Sequence, residues 1–347
     1  MIWPSMGRQL GWRGKKWRII GTALVVAVLI VVGLVLDWVS PRQPGSHMER
    51  YVVVKPGQSA TAVGEELQQH GIIRSAWAFQ WLSRINGLDT HLTAGVYRLS
   101  PRDSLFRIMN LMRNGDVVVI KVSIPEGLTV QDIVARLVAH HIGRLSQYQR
   151  LMRYPLPGMP KPAPGVRDPW EGYLFPATYF FPYGTTPREA LTMMWETFQA
   201  RAIHGLYDQA HTPLSLPQWV TLASIVQAED KEPSQARIVA GVFLNRLKRH
   251  MLLQSDATVR YALGKRFQGS LTLAQLSTPS PYNTYQHAGL PPGPIDNPGL
   301  DMLKATLHPA AVPYLYFVSL PSGRLLFAVT YAQQLANERY AETQGAR

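Results

Sequence analysis

The sequence predicts an α+β protein behind an N-terminal transmembrane helix, with a mainly helical C-terminal part that closes on a small β-hairpin. Three observations predict it. Ile19 to Leu36 is an unbroken uncharged run, IIGTALVVAVLIVVGLVL. Two stretches, entered at Tyr51 and Val122, each set a short β-branched strand before a helix opened by Ser or Thr. Beyond Pro187 the apolar residues recur at helical spacing, and strand patterning returns after Tyr314.

Eighteen apolar residues suffice to cross the hydrocarbon of a bilayer, and Trp17 and Trp38 stand at the two ends as interfacial aromatics. Arg8, Arg13, Lys15, Lys16 and Arg18 precede the run without an acid among them, whereas Asp37 to Arg50 holds only Arg42 and Arg50 as fixed positive charges. The asymmetry makes 1–18 a cytoplasmic basic flank, 19–38 the membrane span and 39–50 a linker to the far side. A cleaved signal peptide is the alternative, but the run is long for one and Asp37-Trp38 is a poor small-residue cleavage site.

The formal charge is +13, and the flank holds five of those units, so thirteen less five leaves +8 for the rest. A basic exported domain can face nucleic acid, anionic lipid or an acidic wall polymer. No helix-turn-helix, zinc finger or RNP motif occurs, so no nucleic-acid partner is expected. The absence of cysteine excludes disulfides and thiolate chemistry. Neither H-E-x-x-H nor a P-loop occurs, so no metal and no cofactor is implied. His140-His141 follow an apolar helical face, where a satisfied or exposed pair is the ordinary outcome.

The elements follow in order. Tyr51 to Val54 reads as a strand and Lys55-Pro56-Gly57 as a turn. Ser59 caps a helix carrying Val63 and Leu67 that ends near Gly71. A second helix covers Ala76 to Ile85, and a strand covers Gly95 to Leu99, so 51–120 forms one compact α+β module. Val122 to Ile124 opens another such unit, with Thr129 capping a helix and Asp132 as its capping-box partner. At an offset of 70 positions Gly57 falls on Gly127, Ser59 on Thr129, Val63 on Ile133, Leu67 on Leu137, His70 on His140 and Ile72 on Ile142. Duplication and shared strand–turn–helix grammar both account for this. Both units resemble LysM modules in their order of elements, which implies binding of an amino-sugar glycan. Leu145 to Val166 is proline-rich and poorly periodic and reads as a connecting loop, completing a second unit over 121–185.

Trp170-Glu171-Gly172-Tyr173-Leu174-Phe175 crowds aromatics around one carboxylate. Such faces suit a sugar groove, and they equally suit an aromatic core at a domain junction. Pro187 to Ala202 is expected to be a helix with proline in its first turn, packing under the next one. In that next helix Leu222, Ile225 and Val226 form an apolar stripe that runs on to Glu229. A carboxylate in line with an apolar stripe, at its helix's C-terminal end, is costly to ionise and keeps its proton, as a general acid must. Most helix-end glutamates are merely solvated. Pro233 starts the following helix, where Asn245-Arg246 either orient a neighbouring loop or lie on the surface.

Leu252 to Tyr261, Thr278 to Tyr285 and Gly289 to Ile295 are rich in proline, glycine, tyrosine and asparagine. They are expected to be rigid binding loops on a helical scaffold. Leu300 to Leu307 reads as a helix, Tyr314–Val318 and Leu325–Val329 as a hairpin around Pro321-Ser322-Gly323, and Tyr331 to Thr343 as a final helix.

Taken together these motifs resemble the endolytic murein transglycosylases, the MltG or YceG-like family. The likeness rests on A-S-I-V-x-x-E at Ala223 to Glu229, V-F-L-N-R-L at Val242 to Leu247 and L-Q-S-D-A-T-V at Leu253 to Val259. P-Y-N-T-Y at 281–285, G-L-P-P-G-P-I at 289–295 and P-Y-L-Y-F-V at 313–318 follow in order, with E-G-Y-L-F-P at 171–176 upstream. The resemblance implies a lysozyme-like catalytic domain over 186–347, behind LysM-like modules. It also implies a single-pass inner-membrane anchor, a periplasmic catalytic domain, peptidoglycan glycan strands as substrate and a peptidoglycan synthase as partner. Three positions depart from the family pattern. Gln227 stands where a second acid often lies two residues before the catalytic one, Ala177 replaces the acid of a P-D-T-Y run, and Leu325 lies near the place of a hairpin histidine.

The implied reaction is lytic cleavage of the β-1,4 bond between N-acetylmuramic acid and N-acetylglucosamine, leaving a 1,6-anhydro end, with Glu229 as the only acid/base. Tethering of the sugar's own 6-hydroxyl supplies much of what a second carboxylate would. Gln254, Asp256, Tyr282 and Asn283 are expected to orient substrate, and Glu171, Tyr173, Thr258, Tyr261, Thr284 and Tyr285 to line its site. Rival carboxylates are Glu171, Glu232 and Asp256. Were Glu171 or Asp256 a nucleophile or base, the enzyme would be a muramidase-type hydrolase. A non-catalytic wall-binding scaffold for a synthase is the alternative of another class.

Overall fold

The computed structural model describes residues 10–88, 92–229, 233–264 and 271–345. It opens with a helix, α1 (Leu10–Val39), whose segment Gly21–Val39 has a mean hydropathy of 2.6 and stands out from the protein except at Trp38 and Val39, which are partly buried. It is long and apolar enough to cross a membrane. By packing, the chain divides so that 1–119 with 182–184 forms one compact unit and 120–181 with 185–347 another.

In the first unit β1 (Arg50–Val54) pairs antiparallel with β2 (Gly95–Leu99), Val52 opposite Tyr97. Alternation along β1 turns Val52 and Val54 inward and Tyr51 and Val53 outward, as a one-sided sheet requires. Between the strands lie α2 (Ala60–Gln69) and α3 (Ala76–Ile85), capped by the side chains of Ser59 and Ser75. A third helix, α4 (Leu105–Asn114), fills a stretch to which sequence reading assigned no element. Leu105, Ile108, Met109 and Met112 form its buried face, Ser104 caps it, and Gly115 ends it in the left-handed region. The stretch read as a linker is bonded to this module: Gln43 donates its amide to the Pro101 carbonyl, and Arg42 its guanidinium to that of Ile73.

The second unit begins with the same grammar. β3 (Val119–Ser123) pairs with β4 (Thr178–Pro182). Between them stand α5 (Val130–Ala139), with the Thr129–Asp132 capping box, and α6 (Leu145–Leu151). Gly57 and Gly127 share a φ of 74°, and Val63, Leu67, Ile133 and Leu137 are all fully buried. The order strand–helix–helix–strand therefore occurs twice. Leu145 to Val166, read as a loop, starts with a helix whose Tyr148 is fully enclosed, because its hydroxyl finds the Ile142 carbonyl at 2.8 Å.

This α+β stretch shares one core with the helices that follow. Val122, Ile133 and Leu137 pack into the same cluster as Trp170, Tyr173, Trp195 and Trp219. Next comes α7 (Pro187–Phe198), continued by a π-helical turn over Gln199–His204. Then α8 (Leu216–Glu229), α9 (Pro233–Lys248) and α12 (Leu300–Leu307) pack on one another, with α10 (Asp256–Leu263) and α11 (Leu273–Leu276) between the last two in sequence. Gly241 lets α9 approach the Ala310 carbonyl, which a Cβ would meet at 2.6 Å. The chain ends with the hairpin β5 (Tyr316–Ser319) and β6 (Leu325–Ala328) and the helix α13 (Tyr331–Thr343).

Candidate active site

The sequence pattern suggested one apolar stripe on α8, but Trp219 through Val226 are all buried. That middle stretch is enclosed on every side, so the register of the helix is held by the whole surrounding core. Trp219 donates its indole N–H to the Leu303 carbonyl at 3.0 Å, and Ser224 accepts the Ile295 amide at 3.0 Å. Glu229 is the last residue of this rod and is partly buried. The negative end of the helix dipole and the loss of water both disfavour its ionised form.

Oε1 of Glu229 accepts a hydrogen bond from the Ser255 hydroxyl at 2.5 Å. Burial pushes the Glu229 pKa up, the Ser255 bond opposes that, and Asp256 and Arg260 act in opposite directions. Ser255 was passed over in the sequence, although it lies inside the L-Q-S-D-A-T-V motif. Its position is set from below. Its backbone amide donates to Oγ1 of Thr284 at 3.0 Å, and Thr284 meets Oγ1 of Thr258 at 2.9 Å. Thr258 in turn donates to the Ser255 carbonyl at 2.7 Å. Thr258 and Thr284 are thus buried supports beneath Ser255.

Leu252 to Tyr261, expected as a loop, is helical from Asp256 onward, with Asp256 as an acid in the first turn; Ser255 stands at the N-cap position but gives its hydroxyl to Glu229 and makes no cap bond. Gln254 just before it is exposed and adopts a φ of 48°, a conformation costly for any residue but glycine. Asp256 accepts the Tyr285 hydroxyl at 2.8 Å and faces Arg260 at 3.7 Å. Glu229 is thus bonded to Ser255 and Asp256 to Tyr285, with Gln254, Ser255 and Asp256 consecutive in the chain. Arg246 braces this stretch: its buried guanidinium donates to the carbonyls of Leu315 at 2.6 Å and Leu253 at 2.9 Å. Asn245 holds the carbonyls of Val312 and Tyr314, so the pair orients loops.

The other expected contacts lie elsewhere. Asn283 is fully buried, donating its amide to the carbonyls of Leu276 and Thr278, both at 2.9 Å, and accepting the Tyr285 amide. It shapes its loop and presents nothing to a ligand. Tyr173 packs edge-on against Trp195 and Phe198 in the core, because its ring completes an aromatic cluster there. Glu171 is enclosed, its Oε1 accepting the Val130 amide and the Asn297 side-chain amide, both at 3.0 Å, and its Oε2 the Tyr261 hydroxyl at 3.3 Å. Burial pushes its pKa well above the usual range, and Asp168 adds to this. Tyr261 packs at a tilt against Tyr282, whose hydroxyl accepts the Arg167 amide at 3.3 Å. Glu232 lies outside the described residues.

Asn297, overlooked in the sequence, ties this second cluster together by donating to the Leu128 carbonyl and accepting the Leu174 amide. The three departing positions are also accounted for. Gln227 accepts the Gly299 amide at 2.8 Å at the start of α12, the Ala177 carbonyl accepts the Ile124 amide, and Leu325 is buried in the α8–α9 core. Among the described residues no group of three His, Asp or Glu side chains is placed to hold a metal.

The family model described as YceG-like family matches residues 52–340. The endolytic murein transglycosylase of Bacillus subtilis (strain 168) is 29% identical over 324 residues, covering 88% of this chain and 89% of that protein. The endolytic murein transglycosylase of Streptococcus pneumoniae serotype 2 (strain D39 / NCTC 7466) is also 29% identical, over 85% of this chain but 58% of its own length. A crystal structure of a yceG-like protein from Listeria monocytogenes superposes with a TM-score of 0.57 at 32% identity, covering 84% of this chain and 99% of that one.

Proposed function

This chain belongs to the YceG-like family, and we propose that it is a membrane-anchored lytic transglycosylase that cuts within peptidoglycan glycan strands. The observation that carries the proposal is Glu229: a partly buried carboxyl at the end of an enclosed helix, its pKa raised by burial and its Oε1 bonded to Ser255. The family's relatives named as endolytic murein transglycosylases supply the substrate class.

In the proposed reaction the protonated Glu229 donates to the glycosidic oxygen as the bond to C1 of the muramic acid unit breaks. The leaving glucosamine departs with a 4-hydroxyl, and positive charge develops at C1. The Glu229 carboxylate then takes the proton of the 6-hydroxyl, whose oxygen bonds to C1 and closes the 1,6-anhydro ring. One carboxyl is restored to its starting state, and water takes no part. Gln254, Asp256 and Tyr285, grouped around the acid, are the proposed substrate contacts. A two-carboxylate hydrolysis has little support. Glu171 is enclosed, with burial pushing its pKa well above the usual range, and Asp256 is engaged by Tyr285 and Arg260.

Helix α1 serves as an uncleaved anchor in this reading, with the basic flank cytoplasmic and the remainder outside. A peptidoglycan synthase partner is included on the family likeness, and a crosslinking pull-down from membranes tests it. Mass spectrometry of muropeptides released from purified sacculi tests the reaction. Products lighter than their hydrolytic counterparts by one water are expected, and products of full hydrolytic mass would replace this reading with a muramidase.

A further inference from the structure

Trp77, Trp81 and Ile85 stand four residues apart on α3 and are 55%, 51% and 68% exposed, while Ala78, Phe79 and Ser83 face the core. Residues at this spacing share one helical face, so the three form an outward apolar row about 12 Å long. Large aromatics are seldom left bare in a row on a soluble surface. This row is continuous with the end of α1. The Trp38 ring lies edge-on to Trp77 with centroids 5.3 Å apart, and Trp77 lies 5.9 Å from Trp81.

The junction is also rigid. Trp38 and Val39 pack against the core of the first module, Arg74 pairs with Asp37 at 3.2 Å, and the Arg74 guanidinium donates to the Pro41 carbonyl at 3.1 Å. If α1 crosses the bilayer, Trp38 sits at its outer edge. The headgroup layer there is about 5–8 Å deep, comparable to the Trp38–Trp77 separation. The neighbouring charges suit that surroundings. Arg84 lies within the row and Arg113 reaches the Asn86 carbonyl at its end, while Arg74 is balanced by Asp37.

We propose that the Trp77–Trp81–Ile85 face of α3 lies in the outer headgroup layer of the membrane that α1 spans, holding the first module flat against anionic lipid. The inference rests on α1 being a retained anchor. Tryptophan is the residue best suited to this depth, its ring partitioning among acyl ends and its N–H among headgroups, and arginines beside it pair with lipid phosphates. The module's orientation to the bilayer is then set by packing at Trp38 and by bonds at Arg74.

The chain has no cysteine, so single probes can be placed without background. Full-length Trp77→Cys, Trp81→Cys and Ile85→Cys proteins would carry an environment-sensitive fluorophore in vesicles of phosphatidylethanolamine and phosphatidylglycerol. Val53→Cys, on the outward face of β1, and Val28→Cys, within α1, serve as references. A nitroxide on the shallow part of the lipid acyl chain should quench the α3 labels about three-fold more than the label at 53. Equal quenching at α3 and at 53, with strong quenching at 28, would overturn the surface inference and leave the anchor. No quenching at 28 would overturn both, without touching the proposed chemistry at Glu229. A shift of the α3 labels on adding chitooligosaccharide in detergent, with no lipid quenching, would assign the face to sugar and overturn the proposal.

Discussion

Ser255 donates its hydroxyl to Oε1 of Glu229, joining the last residue of α8 to the cap of α10 across 26 positions of sequence. This bond opposes the burial that pushes the Glu229 pKa up. It also fixes which way the carboxyl points, and Ser255 is itself fixed by Thr258 and Thr284.

Ser255→Ala therefore moves two observables. Without the donated bond the carboxylate is less favourable, so the Glu229 pKa rises further and the alkaline limb of the activity profile shifts to higher pH. The loss of orientation lowers kcat by about ten-fold. The profile of kcat against pH for the purified chain on sacculi checks both, and an unmoved alkaline limb would count against the assignment of Glu229 as the acid.

Glu229→Gln removes the proton donor and should lower cleavage by about 100-fold or more. Its effect on stability has the opposite sign. A carboxyl whose folded pKa is raised contributes stability below its unfolded pKa of about 4.3 and loses it as pH climbs through the folded value. Glutamine has no such loss. The variant should melt at or above the wild-type temperature at pH 8, and a lower melting temperature there would contradict the burial argument.

Glu171 gives a matched pair of variants. Glu171→Ala leaves the Val130 amide and the Asn297 side-chain amide without their acceptor and should cost about 3 kcal/mol. Glu171→Gln keeps a carbonyl for both. Because burial raises the Glu171 pKa well above normal, wild-type stability from this group is complete at low pH and declines as pH rises. The glutamine variant should flatten that decline in denaturant titrations from pH 4 to pH 8 and still release anhydro products. Loss of those products in a folded Glu171→Gln protein would favour the two-carboxylate mechanism.

Gly172 has a φ of +87°, and a Cβ there would lie 2.5 Å from Cγ of Pro294 and 2.8 Å from Cγ1 of Val220. Gly172→Ala should destabilise by about 3 kcal/mol, combining backbone strain with overpacking. A denaturant midpoint unchanged from wild type would show that the 171–176 turn is not clamped between α8 and the 291–295 loop.

Several features were legible in the sequence because their causes are local. Ser59 and Thr129 cap the helices they precede, since a cap requires only a side-chain oxygen two or three residues before the amide it accepts. The repeat at an offset of 70 was readable because both units use the same turn glycine and the same buried helix positions. The apolar span of α1 and the terminal hairpin followed from local pattern in the same way, whereas the candidacy of Glu229 rested on the family resemblance as well as on the apolar run before it. α4 was equally local, with Ser104 before it, Gly115 after it and an i, i+3, i+4, i+7 apolar face, and was simply not read.

Chain chemistry alone thus determined which segments could be helix, strand or membrane span, and it marked Glu229 as costly to ionise, whereas the burial of Glu171 came only from the fold. Only the assembled fold decided what each polar side chain would bond. Asn283 and Thr284 carried the same ligand-like character as Gln254 and Tyr285, yet Asn283 is used up inside its own loop and Thr284 on Ser255 and Thr258 across the site. Asn297 meets Leu128 from 169 positions away. The reason is physical: a buried donor or acceptor must find a partner, and that partner is supplied by whichever distant segment packs beside it, which no local pattern encodes.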